Sequence, residues 1–183
     1  MVVGSPDMAP IIPGPAAAGA AAVASPDMRA GDIAPDFTSS DQDGRPRTLS
    51  ALLADGPVVL FFYPAAFTPV CTAEACHFRD LAAEFAAVGA TRVGISTDPV
   101  DRLGAWSTRQ SFDYPLLSDP DGAVAAQFGV RRGLLGRLSP VKRTTFVLDT
   151  DCTVLEVIAS EVRPGVHADR ALAVLRARRA SRD

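Results

Sequence analysis

One junction in the chain limits its possible folds more than any other feature. Val58–Tyr63 (VVLFFY) is an unbroken apolar, β-forming run, which reads as a strand buried on both faces. Beyond Pro64 the pattern changes: Ala75, Phe78, Leu81, Ala82, Phe85 and Val88 recur at helical spacing, predicting a helix over Thr72–Val88 that stops at Gly89. A strand buried on both faces needs a covering layer on each side, and the rest of the chain supplies the parts. Thr91–Thr97 reads as a second strand. Asp98-Pro99 starts a helix running toward Gln110, and a short strand follows near Pro115–Leu117. Ala123–Phe128 reads as a helix. Thr144–Asp149 and Thr153–Ala159 form a hairpin around Asp149-Thr150-Asp151-Cys152, and a last helix covers His167–Arg178. The expected architecture is a three-layer α/β sandwich on a sheet with an antiparallel component.

Composition excludes several classes of function. At 183 residues, 48% hydrophobic and 7% aromatic, the chain suits one ordinary domain and offers few aromatics for stacking bases. A formal charge of -3 argues against nucleic-acid binding by bulk electrostatics. No apolar stretch is long enough and free enough of charge and proline to span a membrane. Three cysteines are too few for a disulfide scaffold, and with no Asn there is no glycosylation sequon. No repeat appears beyond one tetrapeptide, Ser-Pro-Asp-Met, at 5–8 and 25–28.

Residues 1–28 are dominated by Ala, Pro and Gly, and no Lys or Arg precedes Arg29. Prolines at 6, 10, 13, 15 and 26 prevent a continuous helix, so this segment is expected to be a disordered tail before a domain over 29–183. An export signal is the alternative, since Ala22-Val23-Ala24 resembles a cleavage site; the missing basic segment speaks against it. Met28, directly before the globular pattern, is an alternative start.

The chemistry concentrates in Pro64–Cys76 (PAAFTPVCTAEAC). A residue here sits at the carboxyl end of a strand and the amino end of a helix, where open α/β sheets place their sites. Cys71 falls in the first helical turn, whose N–H groups and dipole favour an anion, so the nucleophilic thiolate is favoured there. The plainer reading of a lone cysteine is a small buried hydrophobe. A second thiol at Cys76 and the Thr72 hydroxyl tilt the balance toward reactivity. At about 100° per residue, Cys71 lies within about 40° of the apolar stripe's centre and faces the sheet, whereas Cys76 lies about 180° away. Their Cα atoms would be about 8–9 Å apart on an intact helix, beyond the roughly 7 Å a disulfide spans. Glu74 also points toward the buried stripe and needs a cation. The candidate is Arg143, just before the strand TTFVLD.

These residues resemble a known family. Pro64-Ala65-Ala66-Phe67-Thr68-Pro69-Val70-Cys71 is similar to the P-x-x-x-T-x-x-C signature of the peroxiredoxins, thiol peroxidases of thioredoxin-like fold. The Cys71-x4-Cys76 spacing resembles that of the bacterioferritin comigratory protein, or peroxiredoxin Q, subfamily. The likeness runs over about residues 30–178 and includes Ala34-Pro35-Asp36-Phe37, Cys76-His77-Phe78-Arg79-Asp80 and Arg143-Thr144-Thr145-Phe146. It implies a thioredoxin-like three-layer sandwich with a mixed central sheet. Cys71 would be the peroxidatic cysteine, Thr68 would position the peroxide, and Pro64 would shield the sulfenate. Arg143 would hold the thiolate and stabilise the leaving oxygen, with Glu74 orienting Arg143. Cys76 would resolve the sulfenic acid into an intrachain disulfide, reduced by a thioredoxin-like donor. Hydrogen peroxide and organic hydroperoxides are the implied substrates, with no metal, haem or flavin; a monomer in a reducing cytoplasm is expected.

Other readings are weaker. Zinc at Cys71, Cys76-His77, Cys152 and His167 matches no common ligand spacing. A disulfide oxidoreductase favours C-x-x-C, which is absent. A thiol chaperone or redox-sensing partner protein is a non-enzymatic alternative. Cys152 in its turn reads as a spare thiol or a small buried residue, with a resolving cysteine as the alternative; His77 reads as a helix-flank residue and His167 as a residue near the start of the last helix. Arg131-Arg132-Gly133-Leu134-Leu135-Gly136-Arg137 reads as a solvated loop, with a docking surface as the alternative. Arg176, Arg178, Arg179 and Arg182 complement a helix C-terminus. The tail reading has a direct check. A chain beginning at Met28 should melt within about two degrees of the full-length protein, measured by thermal denaturation.

Overall fold

The computed structural model describes residues 27–133 and 139–181. Residues 1–26 of the Ala/Pro-rich segment, part of the basic stretch and the final two residues, including Arg182, lie outside. Thirteen elements follow in order: β1 (Thr38–Asp41), β2 (Pro46–Thr48), α1 (Leu49–Leu53), β3 (Val58–Phe62), α2 (Pro69–Asp80), α3 (Ala82–Ala87), β4 (Thr91–Ser96), α4 (Val100–Gln110), β5 (Leu116–Ser118), α5 (Ala123–Gln127), β6 (Thr144–Leu148), β7 (Val154–Ala159) and α6 (Gly165–Ala180). Their strands form one seven-stranded mixed sheet in the order β2-β1-β5-β4-β3-β6-β7. The three middle strands β5, β4 and β3 run parallel, and the flanking pairs are antiparallel.

The apolar run forms β3, an inner strand of the sheet, and its alternation feeds two cores. Val59, Phe61 and Tyr63 pack under α2, α3, α4 and α6, while Val58, Leu60 and Phe62 pack against α1 and α5. All six are fully buried, which the unbroken hydrophobic pattern required. On the first face the Phe61 ring stacks on Phe78 of α2, with centroids 4.3 Å apart. Gly94, opposite Phe61 on β4, makes the room: a Cβ there would stand 2.8 Å from the Phe61 ring. This stacking docks α2 against the sheet.

Several expectations change in detail. The helix expected over Thr72–Val88 starts at Pro69 and breaks at Leu81 (φ -94°, ψ 22°). The break has a cause in β4. Arg92 Nη1 donates to the Phe78 carbonyl at 2.8 Å, the acceptor that the amide of Ala82 would use in a continuous helix. The polar hairpin β1–β2 and the short helix α1 carry too weak an apolar pattern to be read from the sequence. Asp41 Oδ1 accepts from the amides of Asp43 and Arg45 to build the hairpin turn, and Thr48 Oγ1 caps α1 through the amide of Ala51. Met28 packs against the second core, and Asp27 pairs with Lys142 at 3.3 Å, so these two residues of the expected tail contact the domain. The basic end does more than complement a helix terminus. Arg178 forks onto Asp149 at the end of β6, and Arg179 donates to the Ala87 carbonyl.

Phe61→Ala removes the ring on which α2 rests. It should cost about 3–5 kcal/mol, read from the urea unfolding midpoint.

Candidate active site

The loop from β3 into α2 is held at both edges. The amide of Ala66 donates to Asp98 Oδ2 at 2.7 Å, and its carbonyl accepts from Arg102 Nη2 at 3.1 Å. Asp98 and Arg102 also pair with each other at 2.9 Å. Phe67 adopts a left-handed backbone (φ 65°), uncommon for a bulky residue, with the Arg102 guanidinium over its ring. This clamp reverses the chain so that α2 starts over the carboxyl end of β3. Thr68 is the N-cap residue by position, but its hydroxyl donates back to the Ala65 carbonyl at 3.0 Å. The oxygen's lone pairs stay available to an incoming donor. Pro64 stands half-buried beside the loop.

Cys71 is the third residue of α2 and is buried at 2% exposure. Its amide lies in the turn that has no carbonyl four residues back within the helix. Arg143 Nη2 donates to Cys71 Sγ at 3.2 Å. Arg143 immediately precedes β6, and the β3–β6 register, which pairs Phe62 with Thr144, carries it alongside the end of β3. Its Nη1 donates to Glu74 Oε2, one helical turn beyond Cys71. Glu74 is fully buried. Burial pushes its carboxyl up to about 8, against the lowering influence of Arg143. Arg143 is held protonated by Glu74 and by the Cys71 sulfur.

Thus Cys71, Glu74 and Arg143 converge as the sequence suggested, with Thr68 and Pro64 on the loop leading into the helix. Cys76 differs in its surroundings. The helical wheel turned it outward, but it is only partly exposed. It packs at the edge of the first core, with Sγ 3.6 Å from Gln110 Oε1. The side of α2 away from the sheet is therefore partly covered by the end of α4. Cys152 occupies the β6–β7 turn and packs with the second core, across the sheet from Cys71. His77 pairs with Asp169 at 2.8 Å and ties α2 to α6. Sequence reasoning missed Asp98, Arg102 and His167. The last is fully buried, with Nδ1 3.7 Å from Glu74 Oε1. Only its place in the first turn of α6 was legible.

A family model described as AhpC/TSA matches residues 30–157. The chain is similar to the solved structure of peroxidoxin BcpB from Mycobacterium tuberculosis: 67% identity, 82% of this chain and 97% of that one covered, TM-score 0.79. It is 40% identical to the chloroplastic peroxiredoxin Q of Sedum lineare over 145 residues, covering 79% of this chain and 76% of that protein. The bacterioferritin comigratory protein of Xanthomonas campestris, whose structure is described in terms of alkyl peroxide reduction, is 34% identical, with 78% and 91% coverage and TM-score 0.70. A thioredoxin-like sandwich with a thiol at the head of a helix is shared by thiol oxidoreductases, and the family match narrows the class to the thiol peroxidases. Within it, the chain belongs to the AhpC/TSA family, the peroxiredoxins. Among the described residues, no helix is long and apolar enough to cross a membrane.

Glu74 gives the site a pH signature. Its folded value near 8 stands above its ordinary 4.5, so the native state binds the extra proton between those values. Its contribution to stability is complete below about 4.5 and is lost as the pH rises through about 8. The wild type should therefore lose stability relative to Glu74→Gln across that window and nowhere else, measured by urea midpoints at stepped pH.

Proposed function

We propose that this protein reduces hydrogen peroxide and organic hydroperoxides through Cys71, with Cys76 as its intrachain resolving partner and a thioredoxin-like protein as its reductant. The observation that carries the reading is the 3.2 Å contact from Arg143 Nη2 to the Cys71 sulfur at the head of α2. It brings a fixed cation and a helix terminus onto one thiol, which favours the thiolate.

The thiolate attacks the terminal oxygen of R–O–O–H. A sulfur–oxygen bond forms as the O–O bond breaks, sulfur is oxidised to the sulfenic acid, and RO⁻ leaves to be protonated to the alcohol or water. Thr68 Oγ1, having spent its own proton on the Ala65 carbonyl, accepts from the peroxide O–H and aims that terminal oxygen at sulfur. Arg143, already directed at sulfur, stabilises the charge that develops on the leaving oxygen. Pro64 limits water at the sulfenate. Cys76 then attacks the sulfenic sulfur, a disulfide forms and water leaves. Two residues five apart on an intact helix are too distant for this, so the first turns of α2 must unwind. The disulfide is then reduced by an external dithiol. A reducing cytoplasm suits that recycling, and a monomer suffices for an intrachain disulfide. Cys152, on the opposite side of the sheet, takes no part.

The test couples peroxide reduction to NADPH oxidation through thioredoxin and its reductase. Cys71→Ser should abolish turnover; substantial residual activity would sink the assignment. Cys76→Ser should still consume one equivalent of peroxide but fail to turn over with the thioredoxin system, and Cys152→Ser should turn over normally. Hydrogen exchange supplies a second check. Amides of residues 72–78 should be protected in the reduced protein and exposed in the oxidised one. Equal exchange in both states would refute the intrahelical disulfide.

A further inference from the structure

The stretch from the end of α4 to Tyr114 grips α2 through contacts that the reaction above does not use. Tyr114 is buried, and its hydroxyl donates to the Ala75 carbonyl at 2.8 Å. Burial holds that phenol well above its ordinary value, so it keeps the proton it donates. Its ring is fixed against Phe61 and Phe112. At the last residue of α4, the Gln110 carbonyl accepts from Arg79 Nη1 at 2.6 Å, and Gln110 Oε1 lies 3.6 Å from Cys76 Sγ. Asp113 pairs with Arg92, whose Nη1 also donates to the Phe78 carbonyl. All these contacts fall on α2 at Ala75 or beyond. The turns before Ala75 are held differently, by Arg143 on Cys71 and Glu74, and Val70 there is 40% exposed.

Each helical amide bonds the carbonyl four residues back, so the amides of 72–78 depend on the carbonyls of 68–74. The first of these bonds, Thr72 to Thr68, is 2.9 Å long. Unwinding 68–74 frees Cys71 and exposes the amides of 72–78, yet leaves those of Arg79 and Asp80 bonded to Ala75 and Cys76. What then remains of α2 is six residues, 75–80, too short to persist by helical propensity alone. The Ala75 carbonyl has two lone pairs, so it can serve the Arg79 amide and the Tyr114 hydroxyl together. We propose that Tyr114 is a positioning residue for the resolving step: it pins Ala75 as the hinge of α2, so that Cys76 stays in place on the surviving turns and the oxidised Cys71 swings to it. Arg79 on the Gln110 carbonyl secures the same turns from their far end. The pin matters most once the preceding turns are gone, because the intact helix supports Ala75 from both sides. The inference rests on the reading of Cys76 as the resolving thiol.

The test gives the reduced full-length protein one equivalent of hydrogen peroxide. Disulfide formation is timed by acid quenching, thiol alkylation and mass spectrometry, and backbone hydrogen exchange is read residue by residue in the reduced and oxidised states. In the oxidised wild type, the amides of 79 and 80 should stay protected while those of 72–78 exchange. Tyr114→Phe keeps the ring and removes only the donor. It should slow disulfide formation about fivefold, the effect of losing one buried hydrogen bond, and lower protection at 79 and 80 by a similar factor in the oxidised state alone. The rate of the preceding peroxide step should be unchanged. A wild type that forms no Cys71–Cys76 disulfide would overturn the resolving reading, and this inference with it. A disulfide formed with 79 and 80 also exposed would overturn this inference alone. So would a Tyr114→Phe protein that resolves at or above the wild-type rate. One that slows both steps alike would do the same, because Tyr114 would then act through the fold. If Tyr114→Phe fails to fold, Arg79→Met decides: it removes the Gln110 tie, and an undiminished rate of disulfide formation there overturns the proposal.

Discussion

The site turns on one buried cation facing two acidic groups. Arg143 reaches Glu74 with one arm and Cys71 with the other, and all three side chains are nearly or fully removed from water. In such surroundings an unpaired charge is expensive, so the number of negative charges that one guanidinium can face is limited. Burial pushes the Glu74 carboxyl up to about 8, against the lowering influence of Arg143. The same contacts join β6 to the head of α2, so the electrostatics of the thiol depend on the central sheet pairing.

In the proposed mechanism, holding α2 rigidly would serve the first oxidation but obstruct the second step. The contacts of α2 fall into two groups along the helix. Its base is anchored by Phe78 stacked on Phe61 and by Arg92 on the Phe78 carbonyl. Its head is held by Pro69, the Ala66 clamp and the Arg143 contact. In the proposed cycle an oxidised Cys71 would no longer offer Arg143 a thiolate, one of the head's attachments would weaken, and local unwinding toward Cys76 would become easier while the Phe61–Phe78 anchor stays in place. The conformational step would thus be coupled to the chemical one through a single contact.

Much of this was legible along the chain. VVLFFY read as an inner strand because six consecutive apolar residues, β-branched and aromatic among them, suit a strand covered on both faces. The position of Cys71 between a buried strand and a helical pattern placed the thiol in the opening turn of a helix. Glu74, three residues after Cys71, had to share its buried face, and a basic residue ahead of an apolar strand was a natural partner. These inferences depend on local periodicity and on the cost of burying charge, both properties of short stretches of sequence.

The remainder required the assembled structure. The break at Leu81 arises because Arg92 of β4, far along the chain, takes a helix carbonyl, and no local propensity at 81 announces it. The cover over Cys76 comes from the end of α4, which a helical wheel does not include. Asp98 and Arg102 clamp the catalytic loop from the next βα unit, and His167 arrives beside Glu74 from the last helix, 93 positions away in the chain. The sequence by itself determined which residues are buried, which segment carries the thiol and which charge must accompany it, because periodicity and desolvation act on neighbouring residues. Only the tertiary structure decided how that charge is shared between sulfur and carboxylate, because Arg143, just before β6, meets Cys71 and Glu74 of α2 at one buried point.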